Sequence, residues 1–184
     1  MTATLLDEAK AVASHADKVI GGQDGSKFLT FRLADEEYGV EILKVREIIG
    51  VMEITAVPQM PAFMKGVINL RGKVIPVIDL RLKFCFEEIE YTEQTCIIVV
   101  DVGREIGIIV DTVSEVLDIA RGNIEPPPQI GGTLDTSFIL GMGKVGEAVK
   151  ILLDINRVLT TDQAVSLKEI CETESQAGSI AESF

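Results

Sequence analysis

The chain carries one internal repeat, and no other feature of the sequence constrains the fold as much. At an offset of 68, residues 37–49 align with 105–117: Glu37/Glu105, Gly39/Gly107, Val45/Val113 and Glu47/Glu115 are identical. At an offset of 75, residues 63–80 align with 138–155, where Phe63/Phe138, Gly66/Gly141, Val74/Val149 and Asp79/Asp154 agree. The elements keep their order, and the two offsets differ by a seven-residue insertion around Pro126-Pro-Pro128. Two copies of a β module of roughly 60–65 residues follow from this pattern. A module of that size is marginal alone, so the two are expected to pack together.

The text of each copy is strand text. Leu29, Phe31 and Leu33 alternate with Thr30 and Arg32, and Tyr38, Val40 and Ile42 alternate with Gly39 and Glu41. Residues 74–80, 96–100, 106–110 and 149–155 are short β-branched runs of strand length. Turn residues recur at the spacing of small barrels or sandwiches. Brief helical text is expected at 61–65, 79–84 and 156–159, with Asp79 and Asp154 as N-caps. Pro76 interrupts its run, which predicts an edge strand or a bulge there.

Composition excludes several functions. With 29 acids against 17 bases, a net charge of −12 leaves no nucleic-acid footprint, and an anionic membrane surface is equally unfavoured. No apolar run approaches the roughly 18–20 residues of a membrane span, and MTATLLDEAK lacks the order of a secretory signal, so a cytoplasmic protein is expected. Cys85, Cys96 and Cys171 form neither a disulfide framework nor a CxxC motif, and Cys85 and Cys96 read as small core hydrophobes. The ends differ from the middle. Residues 1–27 are expected to be a flexible tail with weak helical spacing of Leu5, Ala9, Val12, Ala16 and Val19. Residues 162–184, with five acids and one base, are expected to be an acidic tail.

Catalytic chemistry finds little support. The one histidine, His15, lies in the N-terminal tail, and no His/Cys/carboxylate cluster has metal-ligand spacing, so neither an enzyme nor a metal or cofactor is expected. Adjacent acids such as Glu36/Glu37 read as solvated turn charges. Gly141-Met-Gly143-Lys-Val-Gly146 spells the dinucleotide fingerprint but runs into strand text, so a hairpin or bulge is expected. A small-ligand or nucleotide-binding barrel using 141–146 is the alternative function. Arg71, in Asn69-Leu-Arg71-Gly72, stands between two strands as a bidentate donor. It serves either an internal ion pair or a partner's carboxylate.

Residues 28–161 resemble the CheW family of bacterial chemotaxis coupling proteins. The resemblance rests on Phe-Leu-Thr-Phe at 28–31, Asp-Glu-Glu-Tyr-Gly-Val at 35–40, Ile-Leu-Lys-Val-Arg-Glu-Ile at 42–48 and, most specifically, Pro-Ala-Phe-Met-Lys-Gly-Val-Ile-Asn-Leu-Arg-Gly-Lys-Val-Ile-Pro-Val-Ile-Asp-Leu-Arg at 61–81. It implies a mainly β fold of two SH3-like five-stranded barrels packed side by side, with a few short helices. The first barrel is expected at about 28–84 and the second at about 95–155, an exchange of strands between them being left open. It also implies a non-catalytic adaptor that joins chemoreceptor cytoplasmic tips to the regulatory domain of the histidine kinase CheA, recruited to membrane receptor arrays through those partners. By position, Ile42, Val45, Glu47 and Gly66 fall at the family's kinase contact, and Arg71, Val113, Val116 and Gly141 at its receptor-binding and coupling positions. An Arg71–Glu47 pair is expected to fix the geometry of the seam.

Overall fold

Two rows of chain close on themselves, and each borrows its central hairpin from the other half of the sequence. The computed structural model describes residues 25–127 and 137–159. The expected N-terminal helix and the acidic tail lie outside those residues. In chain order the strands are β1 (Gly25–Leu33), β2 (Glu36–Glu41), β3 (Val45–Gly50), β4 (Met64–Leu70), β5 (Lys73–Asp79), β6 (Cys96–Asp101), β7 (Glu105–Val110), β8 (Thr112–Ala120), β9 (Ile124–Glu125), β10 (Ile139–Val145) and β11 (Ala148–Leu153). Two one-turn helices, α1 (Leu80–Lys83) and α2 (Ile155–Val158), follow β5 and β11.

One sheet runs β3-β6-β7-β5-β4 and the other β8-β1-β2-β11-β10-β9. Both become rings through the chain that leaves an edge strand. Beyond β3, Thr55 exchanges two backbone hydrogen bonds with Val67 on the far edge of β4, at 2.8 and 2.9 Å. Beyond β8, the chain turns through Arg121–Asn123 into β9, which pairs with β10 on the opposite edge. These are small barrels of the SH3-like kind, called here barrel I (β3–β7) and barrel II (β1, β2 and β8–β11).

The barrels do not divide the sequence at 84 and 95. Hairpin β1–β2 joins barrel II through the parallel pairing of β2 with β11, and hairpin β6–β7 joins barrel I through the parallel pairing of β7 with β5. The exchange obeys the repeat residue by residue. Val45↔Val100 and Ile48↔Ile98 in barrel I recur as Val113↔Phe31 and Val116↔Leu29 in barrel II. Gly66↔Val77 recurs as Gly141↔Leu152, and Val77↔Gly107 as Leu152↔Gly39.

The exchanged hairpins sit at the centre and are buried on both faces. Ile97 and Val99 face the interior of barrel I, while Cys96, Ile98 and Val100 enter the large cluster between the barrels. A strand covered on both sides reads as a continuous apolar run, which is the text of β6 and β7. The large cluster also takes Leu29, Phe31, Val40, Leu80, Leu153 and Ile155. Phe31, Tyr38, Phe84 and Phe138 stack in sequence at 5.8–6.0 Å between ring centres, so aromatic residues gather where the barrels meet. Much of the chain's aliphatic excess is consumed in this shared core.

Both caps form as expected. Asp79 accepts from Arg81 N and Leu82 N, and Asp154 from Asn156 N and Arg157 N. Three local expectations are corrected. Residues 61–65 form a turn and the start of β4 instead of a helix. Pro76 lies on an interior strand and is not itself bulged. Val67 spends both backbone groups on Thr55, so the Val67↔Pro76 pair uses no hydrogen bond, and pairing with β7 begins only at Val77. Cys85 is exposed in a turn at φ 63, whereas Cys96 is buried and its thiol pKa is raised by burial.

Lys83 is a buried cation without an acidic partner among the described residues. Its Nζ lies 4.3 Å from the centre of the Phe63 ring, and its counterpart in the repeat is Val158. Burial lowers its pKa to about 8. A lysine held below its unfolded value binds fewer protons when folded, so stability rises as pH climbs from about 8 toward 10. Lys83→Met is expected to stabilise the fold at pH 7 by about 1–3 kcal/mol and to flatten that pH dependence. Urea melts at pH 7 and 10 check both; equal gains at the two pH values would contradict the reading.

Candidate interaction surfaces

The positions singled out by sequence fall into three physical groups. The first is internal. Ile42 and Val45 are buried in the cluster between the barrels, 5% and 6% exposed, so neither side chain offers itself to a partner. Their burial shapes the strand that presents Glu47. Between them Leu43 is 78% exposed, the most exposed large apolar residue among those described. Sequence reading passed over it because its neighbours carried the periodicity.

The second group closes the barrels. Gly66 and Gly141 mark equivalent bulges, on β4 between Met64 and Gly66 and on β10 between Ile139 and Gly141. A Cβ on Gly66 would stand 2.0 Å from Thr55 O, at a φ of 142° that side chains rarely adopt. A Cβ on Gly141 would meet Ile124 Cγ2 at 2.6 Å and Glu125 O at 2.8 Å. Both glycines exist so that the closing segment can lie against the bulge. The fingerprint at 141–146 is accounted for in the same way. Gly141 and Gly143 are packed strand positions, Gly146 turns the hairpin at φ 60, and a strand follows instead of a helix. No phosphate cradle is built there.

The third group is exposed. Arg71 and Gly72 form the two-residue turn of hairpin β4–β5, both at positive φ, with Asn69 Oδ1 accepting from Gly72 N at 2.8 Å. From this tip Arg71 donates to Glu47 Oε2 at 2.9 Å, so the expected pair forms, and it joins β3 to the hairpin. The Arg71 side chain remains 75% exposed. Glu47 Oε1 is buried and has no hydrogen-bond partner among the described residues. Arg46–Asp101 and Lys73–Glu105 flank the pair, and Arg46, Glu47, Arg71, Lys73 and Glu105 line an open cleft of about 240 Å³ together with Leu70, Ile75 and Val99. Arg46 and the Gly103 N–H hold the Asp101 carboxyl pKa below the ordinary value. Val113 and Val116, on β8, are half-buried against the shared core.

Two further arrangements had no clear signal in the sequence. Asp111 accepts from Ala34 N at 2.9 Å and from Arg81, in an ion pair of 2.5 Å that is largely buried. It ties the β1–β2 turn of one barrel to α1 of the other. Glu37, expected to be a solvated turn charge, is instead half-buried, ion-paired with Lys150 and accepting from Ser114 Oγ. Among the described residues no group of three or more His, Cys, Asp or Glu is placed to hold a metal ion, and no helix is long and apolar enough to cross a membrane.

Comparison with known proteins adds the remaining observation. Residues 27–163 match the family model described as a CheW-like domain. The chain is 41% identical over 157 residues to the chemotaxis protein CheW of Klebsiella aerogenes, covering 85% of this chain and 95% of that one. It is 32% identical over 158 residues to the chemotaxis protein CheW of Helicobacter pylori, with the same two coverages. Among solved structures, it is similar to the scaffolding protein TtCheW from Thermoanaerobacter tengcongensis, with TM-score 0.69 and 38% identity over 76% of this chain and 95% of that chain.

Proposed function

Because the chain belongs to the CheW family, whose curated relatives are chemotaxis proteins, we propose that it is a non-catalytic adaptor joining chemoreceptor cytoplasmic tips to the regulatory domain of the histidine kinase CheA. On this reading it works in the cytoplasm and reaches receptor arrays through those partners. The observation that carries the proposal is the Arg71–Glu47 pair. A charged hairpin tip, largely exposed and tied to β3 beside a buried open acceptor, is built for contact. An exposed ion pair contributes at most about 1 kcal/mol to stability, so stability does not account for it.

Residues assigned by resemblance then act in two ways. Glu47 contacts the kinase directly, while Ile42, Val45 and Gly66 act from inside by fixing the strand and the closure that present it. Arg71 is the coupling residue, Val113 and Val116 belong to the receptor-facing strand β8, and Gly141 acts through the β9–β10 closure of the same barrel. Individually weak contacts suffice where linked sites raise effective concentration.

Calorimetric titration against a soluble receptor cytoplasmic fragment and against the CheA regulatory domain tests this. Wild type binds both, and Arg71→Ala weakens at least one about tenfold, with its melting temperature almost unchanged. Failure of the wild type to bind either protein would overturn the proposal.

A further inference from the structure

The residue-by-residue repeat lets the two barrels be compared position by position, and one acid is left over. The Arg71 cleft of barrel I maps onto barrel II with Glu47 becoming Glu115, Arg71 becoming Gly146, Lys73 becoming Ala148 and Arg46 becoming Ser114. All three cations are replaced by small uncharged residues, yet the acid is kept. Barrel I closes its pairs internally, through Glu47–Arg71, Lys73–Glu105 and Arg46–Asp101. In barrel II the counterpart of Glu105 is Glu37, which has found Lys150 instead. Glu115 is exposed, and no cation among the described residues pairs with its carboxylate; its contacts with Thr30 use only its backbone. Arg32, which stands where barrel I has Asp101, makes no ion pair with it.

We propose that Glu115 takes its cation in trans: an arginine or lysine of the bound receptor helix stands beside Glu115 where Arg71 stands beside Glu47. The proposal rests on the reading of β8 as the receptor-facing strand, since Glu115 lies between Val113 and Val116. The local backbone supports the comparison. Gly146 turns the β10–β11 hairpin at φ 60 and Arg71 turns the β4–β5 hairpin at φ 53. An arginine is therefore sterically allowed at 146, and its absence leaves the acid to a visitor. Recognition of one charged group by one acid with small neighbours sets register along a helix more than it sets total affinity.

The test uses the full chain, titrated calorimetrically with a soluble receptor cytoplasmic fragment. Glu115→Gln is expected to weaken binding about tenfold without moving the melting temperature. Gly146→Arg supplies the cation in cis and is expected to weaken binding at least as much. Its melting temperature should stay near the wild-type value, since an exposed pair contributes little, and its effect on binding should largely disappear when Glu115→Gln is already present. Wild-type affinity in Glu115→Gln, with the wild type binding normally, would overturn the trans pair alone. A wild type that does not bind the fragment would bring down the receptor reading as well. A loss confined to the CheA regulatory domain would refute the receptor as the source of the cation.

Discussion

Gly66→Val is expected to abolish the cooperative fold. Its Cβ would fall 2.0 Å from Thr55 O, a contact with backbone that no rotamer can relieve, at a φ of 142° that a β-branched residue does not tolerate. The strand must move, and the Thr55–Val67 bonds that close barrel I go with it. Strain, two lost closing hydrogen bonds and a disrupted bulge together exceed about 4 kcal/mol, a large part of the 5–15 kcal/mol that holds a domain of this size. Gly141→Val, tight against Ile124 and Glu125 but without a positive φ, is expected to cost less, and Gly50→Ala, with no atom within 4 Å, almost nothing. Thermal melts followed by circular dichroism give the ranking. A cooperative Gly66→Val melt within 2 kcal/mol of wild type would contradict this account of closure.

A chain cut in the 87–94 connection is expected to remain one particle. Side-by-side barrels drawn from contiguous halves would separate after such a cut. Here each fragment carries a hairpin that belongs to the other fragment's barrel, with Ile98, Val100, Ile108 and Val110 on one side and Leu29, Phe31 and Val40 on the other sharing one core. At roughly 1.5–3 kcal/mol for each large buried aliphatic side chain, separation costs more than the whole stability of the domain. The cut chain should therefore co-elute in gel filtration, and the fragments should separate only in denaturant. Neither fragment should give a cooperative melt alone. Two folded fragments running apart under native conditions would refute the exchange.

How much of this was legible can be argued from particular residues. Matching Asp79 with Asp154 located both caps, because a cap is local and each copy repeats it; the match of Gly66 with Gly141 paired the two bulge positions without showing that they were bulges. The pairing Arg71–Glu47 was also within reach, since a hairpin tip and an adjacent strand are close in any barrel of this type. Which hairpin enters which barrel was not. That choice is made by two short parallel pairings, β5 with β7 and β2 with β11, and an aligned repeat satisfies either assignment equally. The runs at 96–100 and 106–110 held a clue in their missing polar alternation, which marks strands covered on both faces. Burial of Ile42 and Val45 was obscured by resemblance, which assigns a role without saying whether a side chain or the strand beneath it carries that role. Residues 61–65 looked helical because Pro61 followed by Gly66 five residues on imitates helix punctuation, and the closing contact with Thr55 overrides it.

The identical register of the two halves amounts to a homodimer written into one polypeptide, with residues 85–95 as its tether. Two separate subunits encoded by one gene must change together, so a symmetric pair would carry an arginine at both hairpin tips or at neither. Tethering lifts that restriction. Arg71 on one tip and Gly146 on the other give the molecule two ends of the same shape and different chemistry, which no symmetric pair of identical subunits could carry.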